Sequence, residues 1–139
     1  MRPYLVVILL LITLAVSACS KGDQTHTEQE EEALSRTEFT DRIENFFEYE
    51  PLKTSKASQF LIHLTDLSDG SPVEKADVTL TVRSQAGTEV AQMKARVGKV
   101  TGIYVADLAI PAAGDYAIEF HVKNQKIDER MPLTGFKVE

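Results

Sequence analysis

Tryptophan is absent from this 139-residue chain and cysteine occurs once. A single thiol excludes an internal disulfide and any zinc site built from several cysteines. Basic residues number 15 against 21 acidic ones, and no basic cluster stands out. Nucleic-acid partners need such a cluster to displace counterions from phosphates, so they fall outside the reading. Signatures of catalysis are missing too: no nucleophile elbow, metalloprotease helix motif, phosphate loop or dinucleotide fingerprint occurs. Asp66-x-x-Asp69-Gly70 has the start of a calcium loop but not its remaining ligand spacing. The expectation is a protein that is not an enzyme.

The apolar residues concentrate at the N-terminus. Arg2 precedes an aliphatic run from Tyr4 to Val16, broken only by Thr13, and Ser17-Ala18-Cys19 follows. A charged start, an apolar stretch and small residues before a cut describe a secretory signal peptide. The run is short of the ~20 residues a spanning helix needs. Val16-Ser17-Ala18-Cys19 resembles the lipobox of bacterial lipoproteins, which implies cleavage before Cys19 and acylation of its thiol. Several acyl chains hold a protein on a membrane where one alone binds marginally. Ser20, a residue other than Asp after the Cys, implies sorting to the outer membrane. The expected address is the periplasmic side of that membrane in the bacterial cell envelope.

Residues 19–37 read as an acidic tether. Ser20 to Thr37 is polar, includes Glu28, Glu30, Glu31 and Glu32, and has too little apolar surface to offset its ordering entropy. His26 beside the acidic run reads as part of this solvated spacer. The domain boundaries expected are therefore 1–18 for the signal peptide, 19–37 for the tether and 38–139 for the folded part.

From residue 38 onward, period-2 alternation recurs, the mark of strands with one buried face. Gly102 to Val122 carries it most strictly: Tyr104, Ala106, Leu108 and Ile110 face inward from one run, and Tyr116, Ile118, Phe120 and Val122 from the next. Ser58 to Leu67 places Phe60, Ile62 and Leu64 inward, and Ala76 to Gln85 does the same with Val78, Leu80 and Val82. Ile43 to Glu50, a weaker Glu89 to Val97 and a closing Ile127 to Val138 bring the count to about seven strands. That number in about 100 residues suits an all-β, immunoglobulin-like sandwich. Gly114-Asp115-Tyr116 suits the tyrosine that closes a corner between sheets, whereas the missing Trp and disulfide pair exclude an antibody-type domain.

Thr40-Asp41, Glu44, Phe46, Glu48-Tyr49, Pro51-Leu52, Phe60, His63-Leu64-Thr65-x-Leu67, Pro72-Val73 and Val78-Thr79, with the later Gly102-Ile103-Tyr104 and Gly114-Asp115-Tyr116, give an ordered pattern over residues 38–123. This pattern resembles the N-terminal domain of periplasmic adaptor subunits of heavy-metal resistance-nodulation-division efflux pumps. The resemblance implies a lipid-anchored interaction module with efflux-pump components as partners; one such domain does not make a whole adaptor. The Gly102 to Val122 stretch also resembles small copper-linked periplasmic domains of the YtkA-like and FixH-like type. That second resemblance implies the alternative function, metal binding or delivery, with copper or another heavy metal as ligand.

The candidate contact residues are His63, His121 and Met93, with Met131 as a second soft donor. Both histidines alternate with inward residues and so point outward, from strands expected in different sheets. That geometry disfavours a site shared by the two. Gap-filling is the ordinary use of the methionines.

Overall fold

The computed structural model describes residues 31–139. The signal peptide, Cys19, His26 and the tether up to residue 30 lie outside the described residues. Ten strands follow in order: β1 (Leu34–Phe39), β2 (Ile43–Tyr49), β3 (Ala57–Asp66), β4 (Ser71–Pro72), β5 (Asp77–Ser84), β6 (Glu89–Lys94), β7 (Arg96–Val97), β8 (Ile103–Ala109), β9 (Gly114–Lys123) and β10 (Asp128–Val138). They form two antiparallel sheets. The larger runs β1-β2-β3-β8-β7 with β4 paired to the end of β3, and the smaller runs β10-β9-β5-β6.

The inward residues of both sheets make one core. Phe47, Phe60, Phe120 and Phe136 are fully buried, and Phe47 packs its ring 4.8 Å from Phe120 across the sheets. All eight residues expected inward from Gly102 to Val122 are buried. Alternation dictates this, because each strand of a two-layer fold has one face against the other layer and one in water.

The count of about seven strands is corrected to ten, for three physical reasons. β1 begins within the segment expected as tether and crosses its boundary at residue 37: Arg36 spreads its guanidinium over the Phe136 ring at 4.9 Å and donates to Thr134 O at 2.8 Å, so a charged residue covers the end of the core. β4 is a two-residue pairing inside what reads as a loop. The expected strand Glu89 to Val97 is two strands, because the chain passes from the smaller sheet to the larger at Ala95, whose buried N–H donates to Val78 O at 2.8 Å.

Of the two further changes of sheet, β4 to β5 and β8 to β9, the first is pinned by Tyr104. Its buried hydroxyl donates to Val73 O at 2.8 Å and accepts from Ala76 N–H at 3.1 Å. Tyr116 closes the turn before β9 by donating to Ala112 O at 2.8 Å.

Candidate functional site

His63 sits near the middle of β3, opposite Phe46 of β2 and Ile103 of β8. Its neighbours Ile62 and Leu64 fill the core, so alternation turns the imidazole to the outer face of the larger sheet. There the ring lies 5.3 Å from that of Phe46, tilted by 58°. Its Nε2 is buried and has no hydrogen-bond partner. The nearest carboxylate oxygen, Glu48 Oε2, is 3.9 Å away, too far for a hydrogen bond. Glu44 lies on the same outward parity of β2 and Glu50 follows the strand's end, and no Lys or Arg among the described residues pairs with Glu44, Glu48 or Glu50.

His121 occupies the middle of β9 in the smaller sheet, between Thr79 of β5 and Arg130 of β10. Its Nε2 lies 2.7 Å from Asp128 Oδ1, and Lys123 Nζ lies 3.5 Å from the other oxygen of the same carboxylate. The hydrogen bond from His121, then the Lys123 charge, hold the Asp128 carboxyl below its usual range. This imidazole is engaged, and Lys123 and Arg130 give its surroundings cationic character.

Met93 lies on β6, at the open edge of the smaller sheet opposite Leu80, and is partly exposed. Met131 is buried on β10, where its sulfur receives a long contact of 3.8 Å from Asn45 Nδ2. The candidates are therefore dispersed: His63 on one outer face, His121 on the opposite one, Met93 at an edge and Met131 in the core. Among the described residues, no group of three or more His, Cys, Asp or Glu side chains is arranged to hold a metal.

The paired aspartates of the β3–β4 turn are also committed. Asp66 accepts from Arg42 Nε and a terminal guanidinium nitrogen, both at 3.0 Å, and from Ser68 N–H and Oγ–H. Arg42 and then Ser68 push its carboxyl far below the usual range. Asp69 accepts in the same way from Ser71. Their spacing serves two turns. They border a cleft of about 450 Å³ shared with Lys75 and Lys126.

Glu48 is the residue that sequence reasoning did not single out as a site. Its pairing with His63 depends on the β2–β3 register, and the connection of seven residues between these strands, Glu50 to Lys56, does not fix a register. The available signal was parity: Glu48 and His63 both alternate with core residues.

Two antiparallel sheets around one core, with outward histidines on separate faces, define an all-β sandwich domain. The YtkA-like family model matches residues 40–121. The chain belongs to the YtkA-like family. This overturns the resemblance to efflux adaptors and the interaction-module function drawn from it; the strand pattern that carried it belongs to a different family of sandwiches. The crystal structure of FetP from uropathogenic E. coli strain F11, as isolated and recombinantly expressed in the periplasm of E. coli BL21(DE3), is similar in fold. It superposes with a TM-score of 0.51 at 8% identity, covering 78% of this chain and 97% of that one. No curated protein matches the chain.

Proposed function

We propose that this chain is a small periplasmic metal-binding and metal-delivery protein that takes up a copper ion between His63 and Glu48. The observation that carries the reading is the gap between those two side chains. Nitrogen and oxygen donors bind a transition-metal ion at ~2.0–2.2 Å each, so two donors on one ion stand ~2.8–4.4 Å apart, from adjacent to opposite positions. The 3.9 Å separation and the free Nε2 suit that geometry. The His121 Nε2 differs in being already engaged by Asp128 at hydrogen-bond distance.

One imidazole and one carboxylate are borderline and hard donors. They favour a divalent ion over Cu(I), and Cu(II) heads the divalent series. The soft donors Met93 and Met131 stand elsewhere and do not complete the set. Two protein ligands leave the remaining positions to water or to a receiving protein, which suits transfer more than storage. Glu44 and Glu50 add negative potential on the same face, which concentrates cations there.

The remaining parts of the reading rest on the sequence. Acylated Cys19 anchors the protein on the periplasmic side of the outer membrane, residues 19–33 lift the domain off it, and the domain binds without catalysing a reaction. The finer architecture is immunoglobulin-like, supported by the Tyr116 hydroxyl turned back onto Ala112 O.

The test is metal retention. Purified protein is loaded with Cu(II), desalted, and its metal content measured by mass spectrometry for wild type, His63→Ala, Glu48→Gln and His121→Ala. One equivalent in wild type and His121→Ala, none in His63→Ala and a reduced amount in Glu48→Gln is the expected pattern. No retention by wild type, or full retention by His63→Ala, contradicts the reading.

A further inference from the structure

We infer that β1 is a pairing edge through which two copies of this chain join their larger sheets into one. Among the described residues, β1, β7, β10 and β6 end the two sheets and the two-residue β4 lies beside the end of β3; all but β1 are blunted. β7 has two residues. β10 carries Pro132 and a register shift between Leu133 and Phe136. β6 pairs through a shift at Val82/Arg83. Prolines, bulges and brevity are the ordinary protections of an edge. β1 has no proline, no bulge and six residues that pair with β2 in unbroken register from Leu34↔Tyr49 to Phe39↔Glu44, and its inward charges, Arg36 and Glu38, are paired with each other.

The free backbone groups of β1 can be assigned. Thr40 N–H donates to Ile43 O at 2.9 Å, which makes Thr40↔Ile43 a hydrogen-bonded pair. Such pairs alternate along an antiparallel ladder. Glu38 and Arg36 therefore turn their N–H and C=O to β2, and Ser35, Thr37 and Phe39 turn theirs to the open edge.

A second copy fits this edge in one register. Two-fold pairing centred on Thr37 sets Thr37 against Thr37, and Ser35 against Phe39, so every edge-facing N–H and C=O of the three residues finds a partner. The same register sets Arg36 of each copy opposite Glu38 of the other, at a non-hydrogen-bonded position where side chains lie closest. Within one copy Arg36 and Glu38 are already joined at 2.6 Å, so pairing closes a ring of four alternating charges. Moving the centre by one residue opposes Arg36 to Arg36 or Glu38 to Glu38, and like charges directly opposite are destabilising. The occupant argued from this complementarity is a second copy of the chain.

Single cysteines in the full chain, solubilised in mild detergent and oxidised with diamide, test the register. Thr37→Cys places two thiol-bearing residues about 5.5 Å apart between Cα atoms, within disulfide reach. In Ser35→Cys and Phe39→Cys the matching residues are four positions out of register, beyond that reach. The wild-type chain, with no cysteine in β1, gives the background. Covalent dimer at position 37, and only background at 35 and 39, is expected. Background alone at 37, or equal yields at all three positions, overturns the inference.

Charge reversal supplies an independent readout by sedimentation. Arg36→Glu and Glu38→Arg each abolish the dimer, and the double exchange restores it. A double exchange that remains monomeric while folded overturns the proposed register.

Discussion

Replacing Tyr104 with Phe removes one oxygen from the middle of the fold and leaves the packing volume nearly unchanged. That oxygen satisfies two backbone groups of the segment that passes from β4 to β5, Val73 O and Ala76 N–H, at 2.8 and 3.1 Å. Both residues are buried, so water does not replace it. Each orphaned buried group costs about 1–3 kcal/mol; with partial relaxation of the segment the total is about 2–4 kcal/mol. In a domain of this size each kcal/mol moves Tm by about 4–8 °C, so the variant should melt on the order of 10–25 °C lower. Tyr116→Phe is the internal control. Its hydroxyl serves only Ala112 O, on an exposed residue that water reaches, and its loss costs about 1 kcal/mol or less. Urea unfolding followed by circular dichroism measures both, with unchanged m-values expected. Equal losses in the two variants, or a loss below about 1 kcal/mol in Tyr104→Phe, would refute the assignment of Tyr104 as the pin of the sheet crossing.

Gly102→Ala should destabilise more than Gly87→Ala. Both have φ of +82°, but an added Cβ at 102 stands 2.6 Å from Pro72 Cβ and at 87 meets nothing; the open site costs about 1–2 kcal/mol of left-handed strain and the closed one more, as paired unfolding curves will show. Arg42 and then Ser68 hold the folded Asp66 carboxyl below its ordinary range, so it contributes stability that is present above about pH 4 and lost as pH falls through the folded value. Wild type should therefore lose urea resistance between pH 5 and 2, and Asp66→Asn should start lower and show a flatter acid limb. Cys19→Ala should abolish acylation, so that mass spectrometry of membrane extracts finds no lipidated N-terminus.

The core was legible in the sequence because alternation reports burial directly: Tyr104 to Ile110 and Tyr116 to Val122 face inward as their spacing demands. β1 was not legible, since a strand carrying Arg36 and Glu38 toward the core side reads as solvated chain until the rings beneath Arg36 are known. The split of β6 from β7 was hidden for a related reason. Ala95 is small and ordinary in sequence, and only the sheet that each flanking segment joins reveals the crossing. Asn45 is fully buried between Ile43 and Phe47, with its Oδ1 unpartnered; alternation marks the position as inward and leaves its residue type unexplained. The separation of His63 from His121 follows from parity and strand order. The pairing of His63 with Glu48 follows from register, which a single sequence does not specify across a connection of that length.

The central claim is that one divalent ion sits between His63 and Glu48. Crystals of the protein loaded with Cu(II), recorded at the copper absorption edge, test it most directly. The account predicts one anomalous peak about 2.0–2.2 Å from His63 Nε2 and from a Glu48 carboxylate oxygen, with none beside His121. A peak at His121–Asp128 or at Met93, or no peak in loaded crystals, would contradict it.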